Sequence, residues 1–318
     1  MGNELLKIEG LKKYFNTKAG KLHAVDDISF SINEGNTLGV VGESGCGKST
    51  LGRVILRLID ATEGKVIFND EDILKYSNGK MKEMRREMQI IFQDPYASLD
   101  PRMTVSQIIA EPLIINEKMN KKERDDKVSE IMDTVGLAQN FVNAYPHELD
   151  GGRRQRIGIA RALSLNPKFI VCDEPVSALD VSIQAQILNL MQDLQEKMGL
   201  TYMFITHDLS VVKHISNEIA VMYLGKMVEK APAEELFQNP AHPYTRALLS
   251  AIPAPNLKNR NSERELIKGE VTSPINPKPG CRFKNRCPEA KVRCSEDTPE
   301  LQEISPQHYV ACHKYRKG

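Results

Sequence analysis

Residues 42–49 read GESGCGKS, which fits the pattern G-x-x-x-x-G-K-[ST] of a phosphate-binding loop. The loop lies between the apolar run TLGVV and the helix-like run LGRVILRLI, the strand–loop–helix context that the pattern requires. Glycines let backbone amides wrap around nucleotide phosphates, Lys48 supplies charge to the β and γ phosphates, and the Ser49 hydroxyl can bind magnesium. The stretch therefore predicts an α/β fold that holds a nucleotide at the end of a strand. The loop residues predicted to contact the nucleotide are Gly42, Ser44, Gly45, Cys46, Gly47, Lys48, Ser49 and Thr50.

Two acidic residues, Asp173 and Glu174, follow the apolar run KFIVC, which is typical of a buried parallel strand. A carboxylate at the carboxyl end of such a strand can hold Mg²⁺ through water, and we assign this role to Asp173. Glu174 can polarise the water that attacks the γ phosphate. The acids therefore predict nucleotide hydrolysis as well as binding.

Strand-like and helix-like runs alternate along most of the chain. Half-exposed strands are predicted at LLKIEGLKKYF and AVDDISFSI, and further strand-like runs are KVIFN, QIIF, YMFIT and IAVMYL. Helices are predicted at KMKEMRREM and VSIQAQILNLMQDLQEKM. This order predicts a parallel sheet with helices on both faces, interrupted by a mostly helical segment at residues 97–165. We expect the main domain to cover residues 1–255. A Pro-, Asn- and charge-rich linker, residues 256–268, would then lead to a cysteine-rich extension, residues 269–318. The extension has little periodicity and could scarcely form a core without its cysteines.

The charge balance and the apolar runs limit the possible partners. Lys+Arg 43 against Asp+Glu 42 leaves a net charge of +1, which gives no electrostatic reason to expect a nucleic-acid partner. No apolar run approaches the ~20 residues that cross a bilayer, and the start MGNELLKIEG lacks the apolar centre of a signal peptide. We expect a cytosolic protein that reaches a membrane only by docking on other subunits.

Four more motifs stand in order with the first two: IIFQDP, LDGGRRQR at 149–156, SALD at 177–180 and ITHD. The six together, over residues 5–255, resemble the ATP-binding subunits of ABC transporters. The resemblance implies a P-loop NTPase of ABC type, with an N-terminal antiparallel β subdomain and the inserted helical subdomain at 97–165. The cysteine-rich extension then follows as an addition at the C-terminus.

The resemblance also implies roles for individual residues. Gln93 would sense the γ phosphate and magnesium and report to the membrane subunits, and His207 would act with Lys48 to stabilise the γ phosphoryl group. Tyr14 would stack on adenine, with Phe15 as the competing candidate and plain strand packing as the alternative for both. Members of the family work as dimers in which one chain's signature sequence faces the ATP of the other. Asp150, Gly151 and Gly152 in LDGGRRQR would therefore contact a partner's nucleotide.

Asp150 departs from the family pattern, in which this position is usually serine. An ionised carboxylate cannot donate a hydrogen bond to a phosphate and would repel it. One interpretation is that Asp150 simply caps the following helix, with its charge offset by Arg153 or Arg154. The other is asymmetry, in which the site that Asp150 faces mainly holds nucleotide while the second site turns over.

The C-terminal part narrows the resemblance. HPYTRALLSAIP, followed by a cysteine-bearing extension, resembles the ATPase subunits of oligopeptide and dipeptide importers, and LGRVILRL resembles the second of their two ATPases. Nickel importers are close relatives, so they stay open as an alternative. The implied partners are a second ABC ATPase in a heterodimer, two membrane permeases and, indirectly, a solute-binding protein, at the cytoplasmic side of the membrane.

Two functions of other classes compete with transport. An ABC ATPase that acts on DNA or ribosomes would carry long coiled coils or two ATPase domains in one chain, and the sequence has neither. A regulatory subunit that turns over little ATP is disfavoured by Lys48, Gln93, Asp173, Glu174 and His207, although Asp150 keeps it open.

Four cysteines crowd the last 38 residues of the chain: Cys281, Cys287, Cys294 and Cys312. In a reducing cytosol such a group indicates metal more than disulfides. Their spacings are looser than those of common zinc sites, and some relatives among the peptide importers carry a [4Fe–4S] cluster here. We expect one metal centre, with iron–sulfur ahead of Zn²⁺ and unligated thiols as the remaining alternative.

Overall fold

The computed structural model describes residues 3–252, 269 and 272–315. It divides into two compact units. The first unit comprises Met1–Glu4, Asn33–Asn36 and Lys75–Ile205, and the second comprises Leu5–Ile32, Thr37–Leu74 and Thr206–Gly318. The predicted linker at 256–268 lies outside the described residues.

The strands and helices follow one another in the alternating order that the sequence predicts. The strands are β1 (Glu4–Thr17), β2 (Gly20–Asn33), β3 (Thr37–Val41), β4 (Glu63–Phe68), β5 (Glu71–Asp72), β6 (Met88–Ile91), β7 (Phe169–Asp173), β8 (Thr201–Thr206), β9 (Glu218–Tyr223), β10 (Lys226–Pro232), β11 (Gln302–Ser305) and β12 (His308–Val310). The helices are α1 (Lys48–Ile55), α2 (Asn78–Met84), α3 (Val105–Asn116), α4 (Lys121–Thr134), α5 (Gly151–Leu163), α6 (Val181–Met198), α7 (Leu209–Ile215), α8 (Ala233–Gln238), α9 (Pro243–Ser250) and α10 (Arg293–Glu296).

The second unit contains an antiparallel sheet of order β2-β1-β4-β5. Strands β1 and β4 pair so that Leu6 lies opposite Phe68 and Ile8 opposite Val66, and these four side chains are buried. Alternate residues of a strand point to opposite faces, so one face of the sheet packs inward. This is the N-terminal antiparallel subdomain that the sequence predicts.

A second set of strands in the same unit carries the phosphate loop. Strand β3 is buried along its whole length and pairs in parallel with β9. Strand β10 pairs antiparallel with both β9 and β12, and β11 pairs antiparallel with β12. The extension therefore adds two strands beside β10, which sequence periodicity did not predict.

The first unit contains the parallel strands β6, β7 and β8, with β7 paired to both neighbours. All residues of β7 and β8 are buried, as expected for parallel strands covered on both faces. The predicted helical segment contains α3, α4 and α5. Helix α3 begins with a capping box of Thr104 and Gln107, and α4 begins with one of Asn120 and Glu123.

Two predicted helices end earlier than their periodicity indicates. Helix α1 stops at Ile55, before the end of LGRVILRLI, because Arg57 has a left-handed backbone with φ 51°. Helix α2 ends at Met84, although the pattern KMKEMRREM extends to Met88. Within the described ranges, no helix combines the length and the apolar character needed to cross a membrane.

The extension belongs to the second unit and packs on its other residues. Phe283 is 1 % exposed, and its ring lies 5.2 Å from that of Tyr223 and 5.4 Å from that of Tyr244, measured between centroids. Val310 of β12 is fully buried opposite Glu229 of β10. The extension thus shares a core with its neighbours. That it could scarcely form a core without its cysteines stays a prediction.

Candidate functional site

The phosphate loop connects β3 to α1 with a backbone that side chains would obstruct. Gly42 has φ 153°, and a Cβ there would lie 2.2 Å from the Met222 carbonyl oxygen. Gly47 has φ 105°, and a Cβ there would lie 2.0 Å from the carbonyl oxygen of Ala24. Both positions therefore require glycine.

The start of α1 is open to an anion. Its N-cap residue, Gly47, has no side chain that could accept hydrogen bonds from the first amides of the helix. Uncapped amides at a helix N-terminus, together with the helix dipole, bind phosphate groups. Ser44 and Gly45 are exposed in the loop, whereas Cys46 is buried, which raises the pKa of its thiol. Ser49 and Thr50 lie in the first turn of the helix. The loop thus fits the phosphates of a nucleotide.

Lys48 is 5 % exposed and folds back over the loop. Its Nζ donates hydrogen bonds to the carbonyl oxygens of Gly42, at 2.8 Å, and Glu43, at 3.0 Å. The ammonium group is therefore held at the loop by backbone acceptors. A phosphate would offer it stronger, charged acceptors.

Tyr14 lies in the same unit as the loop. Its ring stacks on His23 with 3.9 Å between centroids, and its hydroxyl donates to Asp26 Oδ1 at 2.5 Å. Burial raises the pKa of the Tyr14 hydroxyl, and the bond to Asp26 raises it further. Burial opposes ionisation of Asp26, but the Tyr14 hydroxyl and the charges of Lys226 and Arg282 outweigh it, so the pKa of Asp26 is lowered. Phe15 is half-buried like Tyr14, but only Tyr14 of the two has this anchored ring.

His207 also belongs to the second unit. It follows β8 directly and is exposed. The next residue, Asp208, caps α7 by accepting a hydrogen bond from the Ser210 amide at 2.8 Å. His207 therefore stands at a strand end, where the sequence places it.

Asp173, Glu174 and Gln93 belong to the first unit. Asp173 is the last residue of β7 and is 2 % exposed. Glu174 has a left-handed backbone with φ 48°, and its amide donates to the Ile205 carbonyl at 2.9 Å. Gln93 Nε2 donates to Glu174 Oε2 at 3.1 Å. A non-glycine residue at positive φ costs free energy and is found preferentially at functional sites. The structure thus brings these three predicted residues together.

Asp150 is the N-cap of α5. Its Oδ1 accepts from the Arg153 amide at 2.8 Å, and its Oδ2 accepts from Arg153 Nη1 at 2.5 Å. Asp150 therefore caps α5, and Arg153 offsets its charge, as the first of the two interpretations predicts. Its effect on a partner's nucleotide stays a prediction.

Gly151 and Gly152 open α5 at a point of close packing. A Cβ on Gly151 would lie 3.1 Å from Leu179 Cδ2, and a Cβ on Gly152 would lie 2.8 Å from Ile183 Cγ2. The close approach of Leu179 and α6 is therefore a structural reason for glycine at both positions. The contact of their amides with nucleotide stays a prediction.

The four C-terminal cysteines are free thiols of intermediate exposure. Burial raises the pKa of Cys281 to about 11, and the charges of Cys294, Cys312 and Cys287 add to this rise. The Cys281 amide donates to the Cys294 carbonyl at 2.8 Å, so these two residues are neighbours. Yet within the described ranges, no group of three or more His, Cys, Asp or Glu side chains is arranged to hold a metal ion. Thiols with a raised pKa stay protonated until a metal displaces the proton. The predicted metal centre is not confirmed.

The sequence did not predict several residues that form hydrogen bonds with Glu43 of the phosphate loop. The Glu43 amide donates to the Tyr244 hydroxyl at 2.9 Å, and the Glu43 carboxylate accepts two hydrogen bonds from Arg286. Tyr244 belongs to the motif HPYTRALLSAIP, but the motif does not predict its hydrogen bond with Glu43. Arg282 and Arg286 lie between two of the cysteines and drew no separate prediction.

Comparison with protein families gives two matches. Residues 25–177 match the ABC transporter family model, a range that includes the phosphate loop and the acidic motif. Residues 228–294 match the C-terminal region of oligopeptide/dipeptide transporters. The first match agrees with the predicted resemblance to ABC transporter ATP-binding subunits. The second agrees with the predicted resemblance to the ATPases of oligopeptide and dipeptide importers.

Similar curated proteins match over nearly their whole length. The oligopeptide transport ATP-binding protein AppF of Bacillus subtilis is 53% identical over 320 residues, covering 98% of this chain and 97% of AppF. The oligopeptide transport ATP-binding protein OppF of Salmonella typhimurium is 52% identical over 321 residues, covering 98% of this chain and 96% of OppF.

Solved structures show the same fold. The cbiO1 component of the ABC transporter complex cbiONQ from Clostridium perfringens superposes with a TM-score of 0.67 at 27% identity, covering 74% of this chain and 92% of that one. The ATP-binding cassette MJ0796, in a dimeric post-hydrolysis state with ADP and Pi, gives a TM-score of 0.66 at 29% identity, covering 72% and 99%. The fold and the loop thus define an ATP-binding cassette. The chain belongs to the ABC transporter ATP-binding subunits of the oligopeptide/dipeptide transporter family.

Proposed function

We propose that the protein hydrolyses ATP to drive an ABC importer for oligopeptides or dipeptides, as the second of two ATPase subunits. The observation that carries the catalytic part is the hydrogen bond between Gln93 and Glu174, which joins the proposed sensor to the proposed general base. The peptide cargo is supported by the match of residues 228–294 and by the names of AppF and OppF.

The residues of the chain would divide the work of hydrolysis. The amides of the phosphate loop and the start of α1 bind the phosphates, and Tyr14 orients the adenine. Lys48 and His207 stabilise the charge that develops on the γ phosphoryl group, and Glu174 orients and polarises the attacking water. Ser49, Gln93 and Asp173 would hold magnesium, which would supply positive charge that neutralises the phosphates.

We propose a heterodimer with a second ABC ATPase, bound to two permeases on the cytoplasmic side of the membrane and served by a solute-binding protein. The segment DPYASLDPRM, residues 94–103, is the proposed contact with a permease. Tyr96 in it is 59% exposed, and the Arg102 side chain is 87% exposed. The segment is braced from behind, because Arg161 Nη1 donates to the Ser98 carbonyl at 2.6 Å. An exposed aromatic side chain on a braced loop suits docking.

Cross-linking tests this contact. Cysteines introduced as Ser98→Cys and Arg102→Cys should cross-link to a permease in the assembled transporter. A cysteine at Lys122, in the exposed first turn of α4, serves as the control and should not. Equal cross-linking from all three positions, or none from Ser98 and Arg102, would count against the proposed contact.

The asymmetry of the two ATP sites is a further proposal. Asp150 would face the partner's nucleotide, and a unit of like charge at about 4 Å costs ~4 kcal/mol at an effective dielectric near 20. The ion pair with Arg153 offsets part of this repulsion. We therefore propose that the partner's site mainly holds nucleotide, while the site on this chain's own phosphate loop turns over.

We also propose that Cys281, Cys287, Cys294 and Cys312 bind one metal centre, a [4Fe–4S] cluster in preference to Zn²⁺. Four thiolates suit an iron–sulfur cluster, and the backbone hydrogen bond from Cys281 to Cys294 places two of the four residues side by side. The side chains would have to turn toward a common point, because within the described ranges no three such groups are arranged to hold a metal ion.

Transport by the assembled complex tests the function itself. Vesicles that contain both ATPases and both permeases should accumulate labelled oligopeptide or dipeptide, with the solute-binding protein supplied, only when MgATP is present on the cytoplasmic side. Lys48→Ala should abolish this uptake. Uptake of nickel without peptide would overturn the cargo and favour the nickel alternative. ATP binding with little turnover at this chain's own phosphate loop would favour a regulatory subunit.

A further inference from the structure

Two arginines of the extension, Arg282 and Arg286, extend side chains of low exposure toward residues of the nucleotide site. Their side chains are 9% and 8% exposed. Phe283 between them is 1 % exposed and packs against Tyr223 and Tyr244, so the segment is fixed at its centre. Each arginine extends from this anchor to a different end of the proposed ATP site.

Arg286 holds the phosphate end. Its Nη1 donates to Glu43 Oε2 at 2.8 Å and its Nη2 donates to Glu43 Oε1 at 3.0 Å, a bidentate pair. The amide of Glu43 donates to the Tyr244 hydroxyl, and its carbonyl accepts from Lys48 at 3.0 Å. Glu43 is therefore fixed at its amide, its carbonyl and its carboxylate, next to the first glycine of the phosphate loop.

Arg282 holds the adenine end. Its guanidinium donates to the Asp26 carboxylate and to the Leu224 carbonyl. Asp26 in turn accepts from the Tyr14 hydroxyl at 2.5 Å. The orientation of the Tyr14 ring is thus set by a chain of two hydrogen bonds that begins in the extension.

We propose that the segment from Arg282 to Arg286 positions the ATP site of this chain, with Arg286 acting on the phosphate loop through Glu43 and Arg282 acting on the adenine ring through Asp26 and Tyr14. This inference rests on the proposed roles of the loop and of Tyr14. Neither arginine touches the nucleotide in this scheme. Arg286 restricts Glu43 beside the loop glycines, and Arg282 restricts Tyr14 through Asp26. Less conformational entropy is then lost when the nucleotide binds.

Two ligands separate the two ends of the site. ATP uses the phosphate loop and the adenine contact, whereas inorganic tripolyphosphate uses the loop alone. We would measure Kd for each, with magnesium, by calorimetry on the purified full-length chain. Arg286→Met should weaken both ligands about tenfold, the scale of a lost charged hydrogen bond. Arg282→Met should weaken ATP about fivefold, the scale of a lost stacking contact, and leave tripolyphosphate unchanged.

Further variants test that the arginines act through the named residues. Tyr14→Phe keeps the ring but removes its bond to Asp26, so it should reproduce the effect of Arg282→Met. In the cycle of Arg286→Met with Glu43→Gln, the second substitution should add little to the first, because both remove one interaction. Tyr14→Phe and the single variant Glu43→Gln also serve if an arginine substitution prevents folding, since both keep Arg282 and Arg286. Lys284→Met, in the same segment, is the matched control. Lys284 forms no ion pair with the rest of the described chain, and both Kd values should stay unchanged.

Lys48→Ala separates failure of the inference from failure of the site. It should abolish binding of both ligands. If it does so while Arg282→Met, Arg286→Met and Tyr14→Phe leave both Kd values at the parental level, the positioning role is wrong and the site stands. If Arg282→Met weakens both ligands equally, the segment supports the fold in general and the inference is wrong. If Lys48→Ala has no effect, the proposed site itself is wrong.

Discussion

Gln93 and Glu174 share a hydrogen bond of 3.1 Å, although they lie 81 positions apart in the chain. They meet because β6 and β7 are adjacent parallel strands, and each residue follows the carboxyl end of its strand. In parallel sheets these ends share one edge, which is where ligands bind. The proposed sensor and the proposed base are therefore in direct contact within one unit.

Glu174→Gln should preserve ATP binding and suppress turnover. The amide has the shape of the carboxylate and can still accept from Gln93, but it cannot act as a base. We expect kcat of the assembled transporter to fall by about 10²–10⁴-fold, with Kd for ATP nearly unchanged. Asp72→Asn, a carboxylate outside the proposed site, serves as the control. Turnover at the parental rate in Glu174→Gln would remove Glu174 from the mechanism.

Substitutions of Asp150 test whether it only caps α5 or also makes the two ATP sites unequal. Asp150→Ala removes the cap of α5 and should lower the free energy of unfolding by ~1 kcal/mol, whereas Asp150→Ser keeps the cap. In the assembled heterodimer, Asp150→Ser should raise hydrolysis at the partner's site alone. Hydrolysis is assigned to each site by removing the phosphate-loop lysines in turn. If both sites stay unchanged, Asp150 is a cap and nothing more.

Two glycines of α5 should respond to alanine in opposite ways. The Cβ of Gly152→Ala would lie 2.8 Å from Ile183 Cγ2, so we expect a loss of stability of about 1–3 kcal/mol. A Cβ on Gly158 would point into open space, so Gly158→Ala should be neutral or stabilise the helix by up to ~1 kcal/mol. Chemical denaturation measures both. Equal effects of the two variants would show that the packing at Gly152 yields easily.

His308 should make stability fall as the pH rises. The pKa of His308 is raised by its 2.7 Å hydrogen bond to the fully buried Glu229 and, to a smaller extent, by Glu235. This contribution is fully present below the ordinary histidine pKa of ~6.5 and is lost as the pH rises through the higher folded-state value. We expect His308→Gln to be less stable than the parent at pH 6, with the difference shrinking toward pH 9.

His242 should make the folded protein less stable as the pH falls. Burial lowers its pKa to about 4, and its Nδ1 accepts from the Tyr244 amide. The folded chain therefore favours neutral His242, and stability is lost as the pH falls from ~6.5 toward that value. His242→Asn keeps a cap residue and should reduce this loss in denaturation curves measured between about pH 4 and pH 7. An unchanged slope would contradict the assignment.

The four C-terminal cysteines should give brown protein when it is purified without oxygen. Iron and sulfide in near-equal amounts, with the absorption of a [4Fe–4S] cluster, would support the first candidate metal centre. Replacing Cys294 with Ser should remove the colour, while replacing buried Cys172 should not. Colourless protein with stoichiometric zinc would exclude the cluster and retain the site. Protein with neither metal would leave the four as unligated thiols.

The local parts of the fold could be predicted because short-range pattern determines them. TLGVV forms β3 and VSIQAQILNLMQDLQEKM forms α6 with the expected bounds. The apolar run before Asp173 forms β7, so the acids stand at a strand end as predicted. Periodicity and loop chemistry act over a few residues, and they are readable directly from the chain.

Other features follow from contacts that join distant residues. Arg282 and Asp26 are 256 positions apart, and Arg286 and Glu43 are 243 apart. Strand β12 has only three residues, too few for a period-2 pattern, and exists because β10 offers it free backbone partners. Such pairings depend on which surfaces the whole chain brings together.

The sequence by itself determined the class of the protein, its phosphate loop and the residues at the strand ends. It could not predict that the cysteine-rich extension would become part of the second unit, or that its arginines would hold Glu43 and Asp26. A motif predicts chemistry from neighbouring residues, whereas a buried ion pair forms only where folding excludes water from two distant charges and leaves each as the other's partner.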